Sequence, residues 1–261
     1  MTGGSHLIDA ASKGGILHDG GHSVVAAWGG HVLHTAFQPI FRFSNDGGLV
    51  QIGAEALLRP FLGAAPVPPL RFFERVEQGD LASLELVTGR LHIANAARHL
   101  APGQWLFLNF DPSILMTASL WRSTITTMQV ALRDAGIAPD CVVCEMTEQK
   151  SGSDRALVNF VRALRAEGCK VAVDDYGSHD SDRSRIDMLK PDVVKFDAGW
   201  VTRLMNSGAG FTLLTEMVET FKNQRILTVF EGIETDLQLR LAEQAGATMV
   251  QGYVLAKPVI V

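Results

Sequence analysis

Residues 35–58 read TAFQPIFRFSNDGGLVQIGAEALL, two β-rich runs on either side of a segment built to turn. Thr35–Phe43 and Gln51–Leu58 are largely apolar and strand-length. Between them, Ser44-Asn45-Asp46-Gly47-Gly48 supplies residue types that accept left-handed backbone with little steric penalty. The spelling is that of a hairpin, so these two strands are predicted to run antiparallel. Beyond them the order becomes strand then helix. Further strands are predicted at Trp105–Phe110, Cys141–Thr147, Lys170–Asp174, Val193–Phe196, Ile226–Phe230 and Met249–Tyr253. Helical periodicity covers Pro68–Gln78, Leu81–Leu100, Ser119–Ala135, Ser153–Ala166, Asp182–Leu189, Phe211–Lys222 and Asp236–Ala245, with Gly177, Gly232 and Gly246 at junctions. Eight strands alternating with helices over about 225 residues predict an α/β fold, a modified TIM (β/α)8 barrel with its first strand antiparallel. A doubly wound open sheet is the rival, but no Gly-rich phosphate loop follows the first strand.

The composition is compatible with one such barrel. The chain has 261 residues, 47% apolar and 20% charged, which excludes wholesale disorder. No apolar run approaches the ~18 residues that would span a bilayer, and no basic cluster leads into an apolar segment at the start. The expectation is a cytoplasmic protein with no membrane insertion. A net charge of −5 argues against a partner of duplex nucleic acid. Residues 1–30 hold eight of the 25 glycines and no sustained period, so they are expected to form a flexible leader, partly a cloning remnant, with the barrel domain over 31–261. His6, His18, His22 and His31 are too irregularly spaced for a metal site and are expected to be solvated. Cys141 and Cys144 form a C-x-x-C in a strand-like segment, where positions i and i+3 face opposite ways, so with Cys169 they are expected to be plain thiols rather than zinc ligands.

In a barrel of this type, functional groups gather at the C-terminal ends of the strands. Reading those ends gives Glu55, Asn109, Glu145, Asp174-Asp175, Lys195, Glu231 and Gln251. Any one of them taken singly reads equally well as a helix cap or a solvated loop group. Glu55 and Asn109, however, interrupt apolar runs where an unpaired polar group is costly, and several carboxylates on one rim repel unless cations lie among them. All the donors are oxygens, which suits magnesium, manganese or calcium rather than zinc. Five carboxylates and an amide exceed the needs of one ion and suit a pair about 3.5–4 Å apart, the arrangement used for in-line attack on a phosphodiester. Lys195 is the one cation on that rim. An enolase-type site, with carboxylates, magnesium and a lysine base, fits the same pattern.

The spelling of the motifs separates these alternatives. Glu55-Ala56-Leu57-Leu58-Arg59 resembles the motif that names the EAL domain family, bacterial phosphodiesterases of cyclic di-GMP. The resemblance runs in order through Phe37-Gln38-Pro39-Ile40, Leu108-Asn109-Phe110, Glu145-Met146-Thr147-Glu148, Asp174-Asp175-Tyr176-Gly177, Lys195-Phe196-Asp197, Glu231-Gly232-Ile233-Glu234 and Gln251-Gly252-Tyr253. It covers residues 34–258.

This resemblance implies hydrolysis of one phosphodiester bond of cyclic di-GMP to linear 5′-pGpG, with two divalent cations, Mg2+ or Mn2+; Ca2+, with its larger and less exacting coordination, is expected to bind and inhibit. One metal would be held by Glu55, Asn109, Glu145 and Asp174, the other by Asp174, Asp175 and Glu231. Lys195, Glu55 and Glu231 would be the catalytic groups, Lys195 contacting the attacking water. Whether the lysine, a glutamate or the metals alone activate that water is left open. Arg59 would grip a phosphate, Gln38 and Gln251 would position the dinucleotide, and Glu148 and Glu234 would support a loop. The family also implies a homodimer. A leader of about 30 residues is too short to fold as a sensor, so input is expected through a regulatory protein partner, another subunit or transcription. The sequence departs from the family after Gly177, reading Ser178-His179-Asp180-Ser181 where active members carry a small residue, Gly, an aromatic and paired serines. That departure leaves a non-hydrolysing receptor or interaction module as the alternative.

Overall fold

The structure is a computed structural model, and it describes residues 15–18, 22–44, 46–113, 118–147, 153–178 and 182–261. Strands are β1 (Ile16–His18), β2 (Val24–Trp28), β3 (His31–Phe43), β4 (Leu49–Leu62), β5 (Ala65–Pro66), β6 (Trp105–Phe110), β7 (Val142–Met146), β8 (Lys170–Tyr176), β9 (Val193–Phe196), β10 (Leu227–Phe230), β11 (Met249–Val250) and β12 (Val259–Ile260). Helices are α1 (Pro69–Phe73), α2 (Leu81–His99), α3 (Ala118–Ala135), α4 (Asp154–Ala166), α5 (Asp182–Leu189), α6 (Ala198–Met205), α7 (Gly208–Asn223) and α8 (Asp236–Gln244).

Eight of the strands close a barrel in the order β3-β4-β6-β7-β8-β9-β10-β11, with β11 returning to β3. From β4 to β11 every neighbour is parallel, whereas β3 is antiparallel to both of its barrel partners. The hairpin read from residues 44–48 therefore sets the one reversed strand.

The helices wrap this barrel for an elementary reason. In α4, Ser153 accepts a hydrogen bond from the Ala156 N–H at 3.3 Å, and Leu157, Phe160, Val161 and Leu164 recur at helical spacing. All four are buried against outward-facing strand residues such as Cys144, Val171 and Val173. Among the described residues, no helix is long and apolar enough to cross a membrane.

Some boundaries differ from the sequence reading. Residues 24–28, expected within a flexible leader, form β2 beside β3, with Val24 to Ala27 buried. The anchor is remote in sequence: the Asn95 side chain accepts from the Val24 N–H at 2.9 Å and donates to the Val24 carbonyl at 2.9 Å. His31, expected to be solvated, is buried edge-on against Phe72. The helix expected over Pro68–Gln78 stops at Phe73, because Phe72 is its one buried residue and the following charged positions lie in solvent. A helix missed in the sequence, α6, starts where the Asp197 carboxylate accepts from the Trp200 N–H at 2.7 Å. Cys144 and Cys169 are buried free thiols, and Cys141 is half-buried. Residues 1–14, Glu148 and the segment around His179 lie outside the described residues.

Candidate active site

The lower barrel interior is a hydrocarbon cluster of Ile40, Phe107, Val143, Ala172, Val193, Val229 and Met249. Side chains alternate faces along a strand, so the next inward position is two residues on. Those positions are Asn109, Glu145, Asp174, Lys195, Glu231 and Gln251. On the reversed β3 the same step runs backwards, from Ile40 to Gln38, whose cross-strand partner is Glu55. The polar centre is thus the next layer up from the core. Glu231 and Gln251 lie just past their strands but stay in the ladder, their N–H groups donating to the Phe196 and Phe230 carbonyls.

Lys195 sits at the middle of this layer, only 1% exposed. Its Nζ lies 2.8 Å from Glu145 Oε1, 2.8 Å from Glu231 Oε1, 3.2 Å from Asp174 Oδ1 and 3.3 Å from Glu55 Oε2. Asn109 donates to Glu55 Oε1 at 2.9 Å, and Gln251 donates to Glu55 Oε2 at 3.1 Å. With all four carboxylates ionised, one ammonium would leave three negative charges unbalanced, before Asp175 is counted.

The ionisation of the group follows from burial opposed by these contacts. Burial would lift the Glu55 carboxyl, but Lys195 and the two amides outweigh it and hold it below its ordinary value. Glu145 has less help: burial drives it well above the usual carboxylate range, against the pull of Lys195 and with the repulsion of Glu55 and Asp174. Glu231 is pushed up to about 8, first by burial and then by Asp174 and Glu55. Asp174 is raised by burial too. Burial alone would lower Lys195, yet its four carboxylate neighbours hold it well above an ordinary lysine.

Asp174 and Asp175 are consecutive, and in a regular strand they would face opposite sides. Asp175 has φ 56°, in the left-handed region, and the β8–β9 register slips between Val173 and Tyr176. The alternation is broken, and ligand atoms of Asp174, Asp175 and Glu231 all come within 4.8 Å of one another. Two residues later Gly177 has φ 101°, and a Cβ there would lie 2.4 Å from the Trp200 ring. Trp200 of α6 therefore supports this turn, together with its contacts to Tyr176 and Phe196. The sequence reading missed this support, although the Asp197 cap three residues before Trp200 was a signal for it.

Of the remaining expected site residues, Arg59 lies on the same β4 face as Glu55, donating from Nη1 to the Leu58 carbonyl at 2.9 Å. Glu234 is not brought to the centre: it is exposed at the start of α8, and its backbone N–H donates to Gln238.

These residues fit divalent cations. Among the described residues Glu145 Oε2 is buried with no hydrogen-bond partner, and the donor set is all oxygen with excess formal negative charge.

A family model for the EAL domain matches residues 27–258. The chain belongs to the EAL domain family. The EAL domain is 30% identical over 236 residues to the oxygen sensor protein DosP of Escherichia coli, covering 87% of this chain and 28% of that protein. It is 29% identical over 230 residues to the cyclic di-GMP phosphodiesterase RocR of Pseudomonas aeruginosa, covering 85% and 56%. It thus spans little more than half of one relative and under a third of the other. Among solved structures it matches Klebsiella pneumoniae BlrP1 in a manganese and cyclic di-GMP complex, with TM-score 0.77, 25% identity, and coverage of 87% of this chain and 56% of that one.

Proposed function

We propose that this EAL domain is a metal-dependent phosphodiesterase that opens cyclic di-GMP to linear 5′-pGpG. The observation that carries the reading is Lys195, buried among four carboxylates whose charge it cannot balance. The named relative and the manganese and cyclic di-GMP complex of a neighbour support the choice of substrate.

Glu55, Asn109, Glu145 and Asp174 would hold one cation, and Asp174, Asp175 and Glu231 the other. Magnesium or manganese bound there would polarise the phosphoryl oxygens and acidify water. The chain's own groups do the rest. Lys195 Nζ faces the attacking water and offsets charge developing on the phosphoryl group. The water oxygen bonds to phosphorus as the bond to the 3′ oxygen breaks, which leaves a 5′ phosphate and a 3′ hydroxyl. Glu55, kept ionised by Lys195, Asn109 and Gln251, would serve as a donor to the cation, and the water's proton passes to the ring of carboxylates around Lys195. Gln38, Arg59 and Gln251 would hold the dinucleotide. The same reading has the domain act in the cytoplasm as a homodimer with input from a protein partner.

Chromatography of purified protein with cyclic di-GMP and magnesium or manganese, against a chelator control, tests it. The expected result is metal-dependent 5′-pGpG. Intact cyclic di-GMP that is nonetheless bound, as seen by calorimetry, would replace this reading with that of a receptor.

A further inference from the structure

The β3–β4 hairpin continues beyond the barrel, and its inner face carries side chains outside the family motifs. Directly opposed residues of an antiparallel pair share a face. The register pairs Gln38 with Glu55, Ala36 with Leu57, His34 with Arg59 and Val32 with Phe61, so the face of the acidic centre continues to His34, Arg59 and Phe61. Apart from the small Ala36, which is buried on the inner face, burial follows the same alternation. Leu33, Thr35, Leu58 and Pro60 are buried on the helix side, while His34, Leu57, Arg59 and Phe61 are half-exposed. The His34 and Phe61 rings meet edge to face, with centroids 5.1 Å apart and planes at 70°.

His34 and Phe61 thus stay partly in solvent next to a guanidinium, while the hydrophobic cluster on the other side of the hairpin closes around Leu33 and Leu58. Phe61 is six residues past Glu55, about 20 Å of strand, so the pair meets a ligand at its end away from the acidic centre. A half-exposed ring beside an arginine suits a nucleotide unit, with the base on the ring and the phosphate on the guanidinium.

We propose that His34 and Phe61 form an aromatic ledge that stacks the distal guanine of a bound cyclic dinucleotide, with Arg59 on the adjoining phosphate. This rests on the phosphodiesterase reading above and adds a substrate-specificity determinant to it.

The test is the calorimetric Kd of cyclic di-GMP in calcium, together with turnover in manganese of cyclic di-GMP and of bis(p-nitrophenyl) phosphate, which has no nucleobase. Phe61→Ala and His34→Ala are each expected to raise the Kd about tenfold, the loss of one stacking contact. They should lower kcat/KM for cyclic di-GMP, relative to that for the base-free diester, by a similar factor, mainly through KM. Phe61→Tyr, which keeps the ring, should bind within about twofold of the parent. Unchanged Kd in both alanine variants would overturn the ledge and leave the phosphodiesterase reading intact. An equal loss on the base-free diester would mark a merely structural role and also overturn it. Tight binding that depends on both rings in a protein without turnover would uphold the ledge while removing the enzyme. A parent protein that neither binds nor cuts cyclic di-GMP would overturn both.

Discussion

Phe107, Val143, Ala172, Val193, Val229 and Met249 fill the lower barrel, and two residues further along the same strands Asn109, Glu145, Asp174, Lys195, Glu231 and Gln251 form the upper layer. The strands and their neighbours are shared, so, apart from the backbone break at Asp175 on β8, the difference between the layers is one of side-chain chemistry. The lower layer is stabilised by excluding water from hydrocarbon, a non-directional effect that tolerates shape change only at the expense of a cavity. The upper layer takes its character from that exclusion. Charges set above a dry floor interact more strongly than in water, and their pKa values move accordingly. Stability is expected to reside below and chemistry above.

The sharpest way to break this division is to substitute in the upper layer. Glu55→Ala or Lys195→Ala should lower metal-dependent hydrolysis of cyclic di-GMP by about 10^4-fold, the scale seen when one member of a catalytic unit is removed. The melted fraction at the assay temperature should stay negligible. Turnover within about tenfold of the parent in either variant would show that the upper layer is structural. In the lower layer, Phe107→Ala removes a fully buried ring and should destabilise the fold by about 3–5 kcal/mol, measured by urea unfolding. A loss below about 1 kcal/mol would mean that the floor of the barrel is not close-packed.

The two layers were legible in the sequence to different depths. Strand positions followed from short apolar runs, and the polar ends of those runs marked the rim, because inward positions recur every second residue. Asp175 in left-handed backbone was not legible, since nothing in the pair Asp174-Asp175 says that the alternation fails there. Nor was the depth of Lys195, which depends on carboxylates from four other strands or strand ends meeting at one point. The strand over residues 24–28 carries a local signal, an apolar run that Gly29-Gly30 turns back onto β3, but the glycine-rich stretch around it hides that signal, and its Asn95 anchor lies 71 residues away. The helix α6 escaped because Ala198 and Gly199 open it with little helical signal beyond the Asp197 cap.

A buried polar group on the helix side of β3 provides a control for the charged layer. His92 Nδ1 lies 2.8 Å from Thr35 Oγ1, and Asn95 donates to the same hydroxyl at 3.1 Å. Burial first, and the Arg59 charge second, hold His92 down to about 4. The folded state thus favours the neutral ring, while the unfolded chain takes up a proton near 6.5. Stability from this residue is fully present above pH 6.5 and is lost as pH falls towards 4, by about 3 kcal/mol in all. Glu85, raised to about 8 by burial and by Asp111, pulls the opposite way in that window, so the total stability is not the readout. The measurement is the difference between the parent and His92→Gln in urea midpoints from pH 7 to pH 4.5. The parent should lose more, and parallel curves would show that the fold does not hold His92 below its ordinary value.

The smallest expected effect concerns how the two layers are joined at β8. Asp175 breaks the face alternation, and its φ of 56° is the cause. For a residue with a Cβ, that conformation costs about 1–2 kcal/mol, less for aspartate than for alanine, and almost nothing for glycine. Asp175→Gly and Asp175→Ala both remove the carboxylate, so both lose the same charge and the same side-chain contacts. Their comparison isolates the backbone. With chelator present, Asp175→Gly should be more stable than Asp175→Ala by about 1 kcal/mol, despite the greater freedom of glycine in the unfolded chain. Equal urea midpoints, or a more stable alanine variant, would mean that residue 175 is not held left-handed. The grouping of Asp174, Asp175 and Glu231 would then lack its backbone cause, since a regular strand would turn the two aspartates to opposite faces.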